Sequence, residues 1–357
     1  MWRDTPSNAT SAWGHGGAII TPSFTTPESL RRKLREAGYS TESIAAAWPT
    51  WWSDEAAGSA SAEAELRFSL ARRLGLSPRA LLDDEPTFVL RGSASFKHST
   101  LQASADEAML TALAQSLGQT ILQATPGEYT PPARADTLRE AILESEPFVS
   151  LGSLVSLCWA TGIPIIYQEV FPLAAKRMDA MTVAVADRPV ILLARRTSFP
   201  AFLAFVIAHE LGHVALGHVG HDRTLADFSV SALFGEDEPG YFPRDDIEEA
   251  EANSFAFELL TGNPAFAVEA DRGRFHSAQV AVAANEASQE YRVDPGTVAL
   301  ALGYATNEWP TVYGALKLLG LHDPDLPERI NQVAIGQLEM ETLTSDGAEF
   351  LARMMGR

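Results

Sequence analysis

The sequence predicts an α+β fold, mainly helical, in which one small antiparallel sheet packs on a buried helix. Three observations predict it. Apolar residues recur at helical spacing through most of the N-terminal half, with Gly and Pro separating the periods. After Gly162 the texture changes to short runs at 163–170, 181–185 and 190–193, the later two rich in β-branched and apolar residues and separated by the turn-like Ala186-Asp187-Arg188-Pro189. Directly behind them, Phe199-Pro200 opens a helix whose residues Phe202, Phe205, Val206 and Ile207 are apolar enough to pack on that sheet.

At 357 residues the chain exceeds the size one hydrophobic core usually serves, so several domains are expected, and 46% hydrophobic residues suffice to fill them. The opening Met-Trp-Arg-Asp-Thr-Pro lacks the pattern of a signal peptide, and no stretch holds eighteen uninterrupted apolar residues, so a cytoplasmic protein with no membrane partner is expected. The single cysteine, Cys158, rules out an intramolecular disulfide and a thiolate-held metal, and its neighbours Leu157 and Trp159 suit a buried thiol. A net charge of -19 opposes attraction to phosphate backbones, which makes direct nucleic-acid binding unfavoured.

Four segments follow from the order of elements: residues 1–20 as a flexible Gly/Ser/Thr/Pro-rich N-terminus, 21–130 as a helical module, 131–265 as the core, and 266–357 as a helical accessory region. The first helix is expected at Thr26-Pro27-Glu28-Ser29-Leu30, with a threonine cap and proline in the first turn. Trp48-Pro49-Thr50-Trp51-Trp52 brings three indoles that need buried faces or a partner surface. An amphipathic run from 64 to 74 ends at Gly75, and residues 70–82 resemble the closing helices of phage-repressor-type helix-turn-helix domains. No recognition helix accompanies them, so a packing or protein-binding module is expected. Helical periods continue over 103–124 and 135–162, with Pro131-Pro132 between them. Beyond the core, a turn at Asp294-Pro295-Gly296 starts a helix, and further helices are expected around 312–319 and 327–338.

The sharpest signal is His209-Glu210-Leu211-Gly212-His213. Helix positions four apart share a face, so both imidazoles can reach one zinc ion while Glu210 lies beside them, within reach of the metal's water. An upstream run of Phe205, Val206, Ile207 and Ala208 would gain nothing from burying a glutamate unless a metal or hydrogen bond offset its desolvation. Gly212 leaves space near the ligands or serves as a packing contact. A catalytic zinc usually takes three protein ligands. The helix expected over 246–260 offers Glu249, with Glu251 as the alternative, and Asn253 shares the face of Glu249 and could support a ligand histidine. His218, or His221, is the competing third ligand if the chain turns near Gly217. An extended three-histidine motif would need Gly at 216 and His at 219, where Leu216 and Val219 stand.

These residues together resemble the ImmA/IrrE family of zinc metallopeptidases. The resemblance runs through Gly162-Ile163-Pro164, Met178-Asp179-Ala180-Met181-Thr182-Val183, Arg188-Pro189-Val190-Ile191, Phe205 to His213 and Glu249-Ala250-Glu251-Ala252-Asn253-Ser254-Phe255-Ala256-Phe257-Glu258-Leu259-Leu260. It implies a zincin-like metallopeptidase core with one zinc ion. His209, His213 and Glu249 would be its ligands, Glu210 the general base, and Asn253 a neighbour of the site. It also implies a protein or peptide substrate, with repressor-like transcription factors among the candidates. Two departures concern the substrate cleft: 35 residues separate His213 from Glu249, and Thr261-Gly262-Asn263-Pro264 replaces the Met-Pro usual after the Leu-Leu pair.

The expected chemistry is hydrolysis without a covalent intermediate, Glu210 taking a proton from zinc-bound water and passing it to the leaving amine. Residues 181–185 and 190–193 could offer a strand edge to an extended peptide. Eleven carboxylates and two arginines between Asp222 and Glu258 would favour basic segments or form a solvated crossover. The alternative function is a catalytically silent zinc-containing regulatory or binding module. Retention of Glu210 favours the enzyme, because holding zinc needs no general base.

Overall fold

The computed structural model describes residues 26–53, 55–82, 85–87, 89, 101–172, 178–219, 224–227, 247–268 and 275–357, and gives the side chains of all of these except 101–107 and 224–227. The expected N-terminal segment 1–20, His221 and most of the acidic crossover lie outside the described residues.

Local capping chemistry sets the first helices. Helix α1 (Pro27–Glu36) begins where the Ser29 N–H donates to the Thr26 hydroxyl, and α2 (Thr41–Ala47) where the Ser43 N–H donates to Ser40. Helices α3 (Ala60–Leu74), α4 (Pro78–Leu82) and α5 (Leu101–Gln123) follow. Two of the three arginines of α3 turn inward. Arg67 and Arg73 are buried, and Arg73 donates to the Ala47 carbonyl and pairs with Asp346 near the C-terminus. Of the three indoles, Trp48 is buried with the Arg31 guanidinium 3.8 Å over its ring, while Trp51 is exposed and packs edge-on against Trp52.

The helical period over 135–162 is two helices, α6 (Ala135–Leu143) and α7 (Leu151–Ala160). Pro147 cannot continue the first, and Ser150 restarts the chain with a reciprocal cap, its hydroxyl accepting from the Ser153 N–H and its own N–H donating to Ser153.

The sheet is larger than a hairpin. Strands β2 (Ala180–Val185) and β3 (Arg188–Leu193) are joined by a two-residue turn with Ala186 and Asp187 both at positive φ, the form whose twist suits a hairpin. Strand β1 (Ile165–Tyr167) adds in parallel to β3, and β4 (Thr224–Asp227) adds antiparallel to β2, giving the order β1-β3-β2-β4. The sheet is therefore mixed. Both sides of β2 and of β3 are taken by neighbouring strands, which corrects the expectation that 181–185 or 190–193 offers an edge to a peptide; among the described residues β4 and β1 are the outer strands.

Alternation along the strands gives the sheet two buried faces. Ile166, Met181, Val183, Val190 and Leu192 join a core built with α1, α2, α3, α5 and the C-terminal helix α14 (Ser345–Met354). Ile165, Tyr167, Ala180, Ile191 and Leu193 face the other way, onto α8 (Pro200–Ala215). Helix α8 is buried at every position from Ala201 to Val214, as expected of a helix apolar on all sides. Around it stand α7, α9 (Ile247–Thr261), α10 (Ser277–Tyr291), α11 (Pro295–Thr306), α12 (Trp309–Leu318) and α13 (Leu326–Gln337). Helix α8 is thus held on one side by the sheet and on the other by helices.

Candidate metal centre

Successive residues of a helix are about 100° apart, so the C-terminal half of α8 presents different residues to different neighbours. His209 and His213 point to α9, and Glu210 points to β2. Their Nε2 atoms are 3.0 Å apart, and Glu249 of α9 places its carboxylate oxygens 3.4 Å from each of them. A tetrahedral zinc with bonds of about 2.0–2.1 Å separates its donor atoms by about 3.3–3.4 Å, and the two imidazole nitrogens, each with its own oxygen of the Glu249 carboxylate at 3.4 Å, converge at about that spacing. Among the described residues this is the one group of three His, Cys, Asp or Glu side chains assembled in that way. Burial works against the charge of Glu249, yet the two imidazoles outweigh it and hold its carboxyl well below the usual carboxylate range.

Close approach of α8 to α9 makes the convergence geometrically feasible. A Cβ on Gly212 would lie 3.0 Å from the Ala252 carbonyl oxygen and 3.1 Å from its Cα, so the missing side chain is a packing requirement between the helices. One turn on from Glu249, Asn253 brings its Oδ1 to 2.9 Å from His209 Nδ1. With the Nδ1 proton held there, His209 presents Nε2 toward Glu249.

His218 is brought to the same histidine pair but not among the three converging atoms. Its Nδ1 is 3.0 Å from Nδ1 of His213, on the ring edge away from Glu249, and its Nε2 is 3.1 Å from Glu251 Oε2. Neither alternative third ligand, His218 or Glu251, is part of the assembled group. The reason for His218 is that α8 ends at Ala215 and the chain turns before reaching it, and for Glu251 that it lies two residues, about 200° of helix, from Glu249.

Glu210 is fully buried and accepts a 2.5 Å hydrogen bond from the Thr182 hydroxyl of β2. Sequence reasoning overlooked Thr182. Its signal was a polar residue inside a strand whose neighbours are all apolar, at the alternation that places Ala180 and the cross-strand partner of Thr182, Ile191, against α8. Cys158 of α7 is buried, which pushes its thiol up to about 12, and it is not a member of the converging group.

Residues 160–302, from the end of α7 into α11, match the family model of the IrrE N-terminal-like domain, which is a peptidase family. They form a zinc metallopeptidase domain of the ImmA/IrrE family. The ImmA/IrrE segment is well under half of the chain, yet it contains the whole sheet, α8 and α9, and every residue of the cluster. No curated protein and no solved structure matches the chain. Among the described residues, no helix is long and apolar enough to cross a membrane.

Proposed function

We propose that the chain is a cytoplasmic zinc endopeptidase in which His209, His213 and Glu249 hold one Zn2+ and Glu210 is the general base. The observation that carries this reading is the convergence of the two Nε2 atoms and the Glu249 carboxylate beside a buried Glu210. Two imidazoles and one carboxylate are a donor set of catalytic zinc, leaving a fourth position for water or substrate. Bound there, zinc supplies a Lewis acid that polarises the scissile carbonyl and makes water more acidic. Glu210 takes a proton from the attacking water as its oxygen bonds to the carbonyl carbon. It returns that proton to the amine nitrogen as the C–N bond breaks. Thr182 holds the Glu210 carboxylate in place, and Asn253 fixes the ring of His209. The substrate is a protein segment, and family membership supports a repressor-like transcription factor as its class.

Glu210→Gln tests the mechanism. The amide keeps the volume and cannot take a proton, so zinc content and fold should be retained while cleavage of a verified protein substrate falls on the order of 10²- to 10⁴-fold. A folded, zinc-loaded Glu210→Gln protein cleaving at the parental rate would show that another base acts. A parental protein inactive on repressor-like and other protein substrates would favour the silent zinc module.

A further inference from the structure

The end of α8 places two side chains behind the metal cluster. Leu216 closes the helix and Gly217 follows in the left-handed region, with φ +75°. The Gly217 N–H donates to the Val214 carbonyl at 3.2 Å, and the His218 N–H donates to the His213 carbonyl at 2.9 Å. This pair of bonds is a Schellman closure, which always sets the second residue past the cap beside the third residue before it. In most helices that contact is hydrophobic. Here the two residues are His218 and His213, and their rings meet edge to edge at 3.0 Å through Nδ1.

One neutral arrangement of protons satisfies both contacts of His218. The Glu251 carboxylate can only accept, so His218 donates through Nε2–H. The Nδ1 of His218 then carries a lone pair and accepts from His213 Nδ1–H. That leaves the lone pair of His213 on Nε2, which faces His209 and Glu249. His218 is buried, whereas the Glu251 side chain is about half exposed, so the chain of contacts runs from the cluster outward to solvent.

We propose that His218, anchored by Glu251, is the outer positioning residue of the metal centre: it fixes the tautomer and ring plane of His213 as Asn253 fixes those of His209. This inference rests on the zinc site proposed above. The two histidine ligands are thus held by different means, one by an amide of α9 and the other by an imidazole that the helix closure itself delivers. Glu251 takes an indirect role, acting on the metal through two rings.

Zinc affinity, measured by competition with a chelating dye on the full chain, separates this role from simple packing. His218→Gln can reproduce both contacts, its carbonyl accepting from His213 and its amide donating to Glu251. His218→Leu supplies the apolar side chain that the closure ordinarily prefers, without either contact. Positioning predicts that His218→Leu weakens zinc on the order of 10- to 100-fold, that His218→Gln recovers most of the loss, and that Glu251→Gln gives a smaller loss. The Co2+-substituted protein should show an altered visible spectrum for His218→Leu and a near-parental one for His218→Gln. Parental affinity and spectrum in His218→Leu, or equal losses in the Leu and Gln variants, would overturn the inference. His209→Ala serves as the control for the site itself: if the parent does not bind zinc, or His209→Ala binds as the parent does, the zinc-site reading fails instead.

Discussion

Thr182 shows how one strand position serves the chemistry of a helix. Its hydroxyl stands where an apolar side chain would complete the sheet face, and it donates to Glu210, a carboxylate with no exposed surface. Replacing it with Val keeps the shape and removes the donor, which should lower peptide hydrolysis about tenfold with zinc content unchanged, whereas Thr182→Ser should retain activity. Parental turnover in Thr182→Val would remove Thr182 from the site. At this scale the sequence was most informative where residue type and helical spacing both constrained the outcome. His209 and His213 are four apart on one helix, and Glu249 and Asn253 four apart on another, so each pair shares a face. Thr182 and the His213–His218 contact were not legible, because the first depends on which face of a strand meets α8 and the second on how the helix closes.

At the scale of elements, the approach of α8 to α9 is the feature that assembles the cluster, and Gly212 sets that distance. Gly212→Ala would force its Cβ against the Ala252 backbone, which cannot move aside as a side-chain tip could. We expect a loss of about 1–3 kcal/mol in stability and a clear weakening of zinc, read by thermal unfolding and by chelator competition; unchanged values would mean that the helices are not in close contact there. Helix α11 offers a second test. Asp294 caps it by accepting the Thr297 N–H at 2.9 Å, and burial raises its carboxyl above the ordinary value against those bonds. A carboxyl raised on folding contributes stability that is present below its unfolded pKa and lost as pH rises through the folded one. Asp294→Asn keeps a capping oxygen and has no charge to bury, so its Tm at pH 7 should equal or exceed the parent's, with the difference fading in acid. A lower Tm for Asp294→Asn at pH 7 would contradict this. Most helices were legible from period and caps, and the β2–β3 pair from its β-branched runs. The break at 144–150 was missed although Glu144-Ser145-Glu146-Pro147 interrupts the apolar period there, because the apolar residues resume at Phe148 and Val149. The pairings of β1 and β4 were missed because strand neighbours far apart in sequence leave no local pattern.

For the whole molecule, the sheet divides two cores, and each draws on distant parts of the chain: Leu30, Val190 and Met354 meet in one, Val149, Ile207 and Ile330 in the other. We propose that the segments 21–130, 131–265 and 266–357 are layers of one folding unit around the sheet and α8. Because α8 and α9 are anchored in a core independently of any ion, chelating the zinc should abolish hydrolysis and lower Tm while leaving the far-ultraviolet circular dichroism of the helices unchanged; loss of the helical signal would mean that the metal holds the fold. The most direct test of the proposed centre is anomalous scattering at the zinc edge from crystals of the zinc-loaded protein. It should give one peak about 2.0–2.1 Å from Nε2 of His209, Nε2 of His213 and an oxygen of Glu249, with Glu210, His218 and Glu251 outside bonding distance. A peak bonded to His218 or Glu251, or to Glu210 in place of Glu249, would contradict it.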